Sequence, residues 1–239
     1  MNILTIGNSF SQDATRYLHQ IARTDGVELN CFNLCIGGCS LYRHFKNMKG
    51  NIRQYTLEMN GWSTGVLLTL EEGLLNREWD VITIQQVSEQ SVDFETYEPY
   101  LSELAKYIRE LAPKSKLYIH QTWGYETGST RIRNVIQCEN YGEMFARTEQ
   151  AYEKAAEVIS ADGMIPSGRM VKELLGNGIE KIHRDGFHLK LGVGRYAAGL
   201  LWYKTLTGNS VTNNAFCDFD EEVPESEIQI VKKIIDEKF

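Results

Sequence analysis

Proline is scarce in this chain, with 4 in 239 residues. No Gly/Ser/Pro-rich stretch divides it, and no internal repeat or low-complexity tract is present. Those absences argue against linked modules and repeat architectures, and for a single domain spanning 1–239. Long apolar runs are missing too. None approaches the ~18 residues of a membrane-spanning helix, so no membrane insertion is expected. No basic segment with a cleavage site precedes "NILTIG". The expectation is therefore a cytoplasmic home, with a secreted or periplasmic one open if a leader has been removed. Basic residues are outnumbered, 25 Lys and Arg against 32 Asp and Glu, for a net charge of -7. That argues against nucleic acid as a partner, because phosphate binding calls for a basic face. Part of the excess is the acidic stretch "CDFDEEVPESE", which reads as a solvated face.

Two further absences concern cofactors. No Gly-x-Gly-x-x-Gly or Gly-Lys-[Ser/Thr] loop follows any strand, so a nucleotide or phosphate role has no support. There are five cysteines. Cys31, Cys35 and Cys39 recur every four residues, but they form no Cys-x-x-Cys knuckle, and no histidine pairs with them at finger spacing. They read as buried thiols; no metal and no cofactor are expected, and the odd count fits a reducing compartment.

What is present is alternation. "NILTI" (2–6) reads as a buried strand. In "SQDATRYLHQIART" (11–24), Ala14, Tyr17, Leu18, Ile21 and Ala22 fall on one face of a helix. Strands follow at 28–35, 80–85, 116–121 and 163–166. Helices are expected at 65–78, 95–112, 139–161, 168–176, 189–206 and 224–238. Strands alternating with helices predict an α/β fold, a three-layer α/β/α sandwich with a central parallel sheet of about five strands. Ligands of such sheets bind at the C-terminal strand ends. Gly7-Asn8-Ser9, Gly37-Gly38, Gln85-Gln86 and Gln121-Thr122-Trp123 should therefore meet.

Ser9 stands at the first strand-to-helix junction. Ser9-Phe10-Ser11-Gln12 satisfies a Ser-x-x-Gln capping box, so Ser9 could simply cap the helix. The same position would place a hydroxyl at the sheet edge beside a helix N-terminus, which stabilises a negative oxygen. A serine nucleophile also needs a base. His19 and His183 read as solvated, and His120 could face either way. His44, with Tyr42 and Arg43, could rim a site. His188 lies in "RDGFHLKLGVGRYAAGLLWY", three residues after Asp185 on a Gly-containing turn. From there the carboxylate can reach the imidazole and fix its tautomer.

"IGNSFSQD", "NLCIGGCSL", "DVITIQQVS" and "DGFHLKLGVGRYAAGLLWY" together resemble the SGNH (GDSL-type) hydrolase superfamily. They are most similar to its bacterial branch that opens with Gly-Asn-Ser-Phe. The likeness spans residues 3 to about 206 and is tightest in the first and last blocks. It implies Ser9 as nucleophile, His188 as base and Asp185 as its partner. It also implies an oxyanion hole from the N–H groups of Ser9 and Gly38. The chain departs from the pattern in its third block, where an Asn normally supplies a side-chain N–H. Here Gln85 or Gln86 offers the same amide, and Gln86 is the expected donor. Trp123, Gln121, His44 and Arg43 are expected to contact substrate, and Arg131 and Arg133 lie in a long polar insert resembling a lid. The implied function is a serine ester hydrolase that removes short acyl, above all acetyl, groups from carbohydrates or similar small esters. An acyltransferase with the same triad and a non-catalytic carbohydrate-binding relative are the alternatives.

Overall fold

Asn2–Gly7 (β1) buries side chains on both sides, Ile3 and Thr5 on one and Leu4 and Ile6 on the other. A strand buried on both faces needs helices on both. The computed structural model, which describes residues 1–239, supplies them. The strands are β1, β2 (Asn30–Cys35), β3 (Tyr55–Met59), β4 (Trp62–Leu68), β5 (Val81–Ile84), β6 (Lys116–Gln121) and β7 (Gly163–Pro166). They form one sheet in the order β4-β3-β2-β1-β5-β6-β7. β2, β1, β5, β6 and β7 run parallel, while β3 and β4 are an antiparallel hairpin on the β2 edge.

The helices divide between the faces. α1 (Ser9–Thr15), α2 (Leu18–Thr24), α8 (Ser167–Gly176), α9 (Val193–Thr207) and α10 (Glu225–Lys238) cover Ile3, Cys31, Val81 and Ile165. α3 (Leu41–Lys49), α4 (Leu70–Leu75), α5 (Tyr100–Leu111) and α7 (Tyr141–Val158) cover Leu4, Ile6, Phe32, Leu34, Ile82, Ile84, Leu117 and Ile119. α6 (Thr130–Asn134) is one short turn in the long connection from β6 to α7. α9, expected to be apolar on most sides, is buried from Val193 to Tyr203 except at Arg195.

The structure corrects the expected elements: β3 and α3 were not expected, the helix expected over 95–112 is a 3-10 turn at Phe94–Thr96 followed by α5, and two further segments differ. Residues 65–78 are not one helix. Thr69 and Glu72 form a reciprocal capping box, so the helix begins only at Leu70. The residues before it pair with β3, which brings the sheet to seven strands. The helix expected over 11–24 is two short ones, broken at Arg16 and Tyr17. There Arg16 turns to Asp220, and the Tyr17 hydroxyl donates to the carbonyl of Leu191 at 2.6 Å.

Counting only the parallel strands, their order is 2-1-3-4-5. Connections leave β1 in opposite directions, and the crevice between β1 and β5 is the switch point where such folds bind ligands. Ser9 follows β1 at that point.

Candidate active site

Asn8, not Ser9, caps α1. Its Oδ1 accepts the Phe10 N–H at 3.0 Å. The capping-box expectation fails because Ser9 already lies inside the helix, and the Gln12 amide donates to Glu58 instead. The Ser9 hydroxyl is thereby left free of the cap. It donates to His188 Nε2 at 2.8 Å, and His188 Nδ1–H donates to Asp185 Oδ2 at 2.7 Å. The Asp185 carboxylate also accepts backbone N–H groups from His188 at 2.9 Å and Phe187 at 3.3 Å. Gly186, at φ +90°, makes this tight turn possible. Partial burial pushes the Asp185 carboxyl up, but hydrogen bonds from the His188 ring and the two backbone N–H groups outweigh it. They hold it at about 2. It is therefore ionised at neutral pH and fixes the imidazole tautomer that leaves Nε2 to accept from Ser9.

The loop carrying His188 is clamped to α1. Asp13, fully buried one turn after Ser9, accepts from Arg184 Nη1 and Arg195 Nε, each at 2.9 Å, and from the Leu189 N–H at 3.2 Å. Arg195 and Arg16 also hold Asp220, each at 2.8 Å. From the other side, the Phe10 ring stacks on Trp123 at 4.3 Å, and Trp123 Nε1–H donates to the Phe187 carbonyl at 2.8 Å. Phe187 lies 4.0 Å from the His188 ring.

A cleft of about 410 Å³ opens beside Ser9, lined by Asn8, Phe10, Gly37, Gly38, Val87, Ser88, Glu89, Arg131, Phe187 and His188. Gly38 adopts φ +60°, a Cβ there would meet nothing within 4 Å, and its N–H takes no acceptor from the chain. Ser9 is the first residue of α1, where the N–H has no intrahelical partner. Two backbone donors, one from Ser9 and one from Gly38, thus border the same cleft.

The expected third donor needs correction. Gln86 lies on the opposite face of the sheet from Gln85 and is fully engaged. Its Oε1 accepts from Leu41 N–H at 2.9 Å and Val87 N–H at 2.8 Å, and its Nε2 donates to Thr96. Gln85 is on the side of Ser9 but buried behind it, with Nε2 donating to Asn8 Oδ1 at 3.0 Å and Oε1 accepting from His120 at 2.6 Å. Neither amide lines the cleft. The expected substrate contacts also fall elsewhere. Trp123 is fully buried as the brace of Phe187. Gln121 is buried and accepts the Arg169 N–H at 3.3 Å. His44 is buried against the Tyr55 ring, with Nδ1 3.0 Å from its hydroxyl. Arg43 is exposed on α3, outside the cleft lining. His183, expected in solvent, is buried and donates to the Gly124 carbonyl at 3.0 Å.

Sequence reasoning missed Asp13 and Glu89. Asp13 carried a signal: it stands one turn before Tyr17 on the apolar stripe of "SQDATRYL", and a carboxylate there must find partners. Glu89 carried none.

A family model described as a domain of unknown function, DUF4886, matches residues 2–236. The chain belongs to that family. A crystal structure of a DUF4886 protein from Bacteroides uniformis is 34% identical, with 98% of this chain and 93% of that one covered at a TM-score of 0.90. A protein from Slackia heliotrinireducens, described as a candidate SGNH hydrolase, is 20% identical over 86% of this chain and 98% of its own, at a TM-score of 0.64. A family 3 carbohydrate esterase from Clostridium thermocellum is 13% identical over 85% of this chain and 94% of its own, at a TM-score of 0.53. No curated protein matches the sequence at a significant level. The fold is that of the SGNH hydrolases. No helix is long and apolar enough to cross a membrane.

Proposed function

We propose that this chain is a serine ester hydrolase acting on short-chain acyl esters, with O-acetyl groups on carbohydrates as the substrate class. The observation that carries the reading is the continuous line of hydrogen bonds from Ser9 through His188 to Asp185 at the N-terminus of α1. Ser9 Oγ attacks the ester carbonyl while His188 Nε2 takes its proton. Asp185 stays ionised and steadies the imidazolium. The carbonyl oxygen becomes an oxyanion between the N–H groups of Ser9 and Gly38, aided by the helix N-terminus. His188 then protonates the departing alcohol, and water attacks the acyl-serine by the reverse route, regenerating Ser9. The substrate class rests on the modest volume of the cleft, about 410 Å³, and on the polar side chains of Asn8, Ser88, Glu89 and Arg131 among its lining. The likeness to a carbohydrate esterase supports it.

A fluorophosphonate probe read by intact mass tests the nucleophile. One adduct on the native chain and none on Ser9→Ala is expected, with p-nitrophenyl acetate turnover at least ~10³-fold lower in the variant. The variant should melt near the native temperature, because the cap is Asn8. An adduct that persists in Ser9→Ala would place the nucleophile elsewhere.

A further inference from the structure

Glu89 and Arg131 both line the cleft, from different segments. Glu89 follows β5, and Arg131 lies on α6 in the long β6–α7 connection. They meet there, Arg131 Nη2–H donating to Glu89 Oε1 at 2.7 Å. The guanidinium lies over the Phe187 ring at 4.6 Å, and Phe187 in turn packs on His188. The pair is therefore carried on the same aromatic stack that seats the His188 ring. The connection is not free to swing. The Tyr125 hydroxyl meets Ser88 Oγ at 3.0 Å, and the Glu126 N–H donates to the Gly186 carbonyl at 2.8 Å. Arg131 is thus tied both to the turn bearing Glu89 and to the turn between Asp185 and His188.

The pair leaves bonding capacity unused. Glu89 Oε2 has no partner in the chain, and Arg131 uses only one Nη2–H; its Nε–H is buried and out of a ligand's reach, so the open donors are those on Nη1 and Nη2. An open carboxylate oxygen beside open guanidinium N–H groups offers an acceptor and donors side by side. A vicinal diol offers the complement, because each hydroxyl both donates and accepts. A plain alkyl alcohol would cover these groups without bonding them, which is costly. An anionic sugar would bring a second carboxylate beside Glu89 and compete with it for Arg131.

We infer that Glu89 and Arg131 form a recognition clamp for the alcohol half of the ester, and that this alcohol is a neutral polyol presenting adjacent hydroxyls, a neutral sugar above all. This rests on the serine esterase reading for the direction of the chemistry. The clamp itself makes a claim about binding that can be tested without turnover.

Two measurements test it. In the first, binding of mono-O-acetylated methyl glucoside to Ser9→Ala is measured by calorimetry, alone and combined with Glu89→Gln or Arg131→Met. Each added substitution should weaken binding at least ~10-fold, and the acetylated glucuronate analogue should bind more weakly than the glucoside to the parent. In the second, the otherwise native chain and the two single variants are compared by the ratio of kcat/KM on the acetylated glucoside to that on p-nitrophenyl acetate. That ratio should fall at least ~10-fold, mainly through KM, with native-like melting curves. Unchanged sugar binding and an unchanged ratio would overturn the clamp, and so would tighter binding of the glucuronate. A chain that turns over neither ester yet binds the glucoside through the pair would sink the esterase reading and leave the clamp standing.

Discussion

The two faces of the sheet are built from different chemistry. Toward α3, α4, α5 and α7 the strands present Leu4, Ile6, Phe32, Leu34, Ile82, Ile84, Leu117 and Ile119, an apolar surface throughout. Toward α1, α8 and α9 the same strands interleave Ile3, Cys31 and Val81 with Thr5, Asn33, Thr83, Gln85 and His120, all buried. Thr83 apart, these polar groups are joined rather than stranded. Asn8, Gln85, His120 and Ser167 form one chain of hydrogen bonds at 3.0, 2.6 and 3.0 Å. Ser11 Oγ donates to Asn33 Oδ1 at 2.9 Å, and Asn33 Nδ2 donates to Glu58 at 2.7 Å. Buried polar groups are tolerable when each has its partner, and such a network fixes geometry more narrowly than oil-like packing does. The difference teaches a division of labour. Both faces supply burial, the larger apolar cluster being on the side of α1, α8 and α9, but only that side also sets the positions of Asn8, Ser9 and the loop that bears His188.

The sharpest way to break that comparison is to remove one buried group from each face. Ile82→Ala should destabilise by about 2–4 kcal/mol through the lost side chain and the cavity left behind. Asp13→Ala should destabilise by a similar amount, about 3 kcal/mol, because Arg184 and Arg195 lose their shared carboxylate. The losses match, but the consequences for turnover should not. Per folded molecule, Ile82→Ala should keep kcat within about twofold, whereas Asp13→Ala should lower it at least ~10-fold, since a misplaced base is costly to rate. Urea melts beside esterase assays on the folded fraction check this. Equal loss of kcat in both would mean that the faces do not divide the work.

A finer test exchanges neighbours. Gln85 and Gln86 are adjacent in sequence and point to opposite faces. Gln85→Leu removes a bond that holds Asn8 and should lower kcat about 5–10-fold with little change in KM. Gln86→Leu loosens the contacts to Leu41 and Thr96 and should cost about 1–2 kcal/mol of stability while leaving kcat nearly intact. The reverse pattern would return Gln86 to the oxyanion hole.

The same pair shows how far the sequence could be read. Alternation along "DVITIQQ" correctly says that only one glutamine can face the serine. It cannot say that this glutamine is already bonded to Asn8, because the partner is 77 residues away in the chain. The parallel strands and α9 were legible because local pattern carries them, as apolar runs and an all-apolar helix, whereas the grouping of Ser9 with Asp185 and His188 was legible only through the resemblance of the sequence blocks around them to the SGNH hydrolases. The β3–β4 hairpin was overlooked although Asn60-Gly61, at φ +53° and +87°, marks its two-residue turn; what hid it is that "WSTGVLL" runs into the helix-forming "LEEGLL" with only the Thr69 cap between them. Trp123, Gln121 and His44 were misplaced for a related reason. Strand ends and loop starts put side chains near a site, but tertiary packing decides whether they line the cleft or brace it from behind.

The smallest effect concerns protons. Both faces hold fully buried neutral histidines, among them His120 on the polar side and His44 under α3. Desolvation lowers both to about 3, and for His44 the charge of Arg43 adds to it. In the unfolded chain each would titrate near ~6.5. Below that pH the unfolded chain binds protons that the folded one refuses. Stability from these groups is thus fully present above about pH 6.5 and is lost as pH falls toward 3, by up to ~1.4 kcal/mol per pH unit for each histidine. His183, also lowered by burial, acts in the same sense. Urea midpoints between pH 7.5 and 5 should therefore decline, and His44→Gln and His120→Gln should each flatten the slope by about the same amount if both faces unfold in one cooperative step. A slope that answers to His44 alone would mean that the apolar face sets the global transition, and that the polar face around Ser9 opens separately.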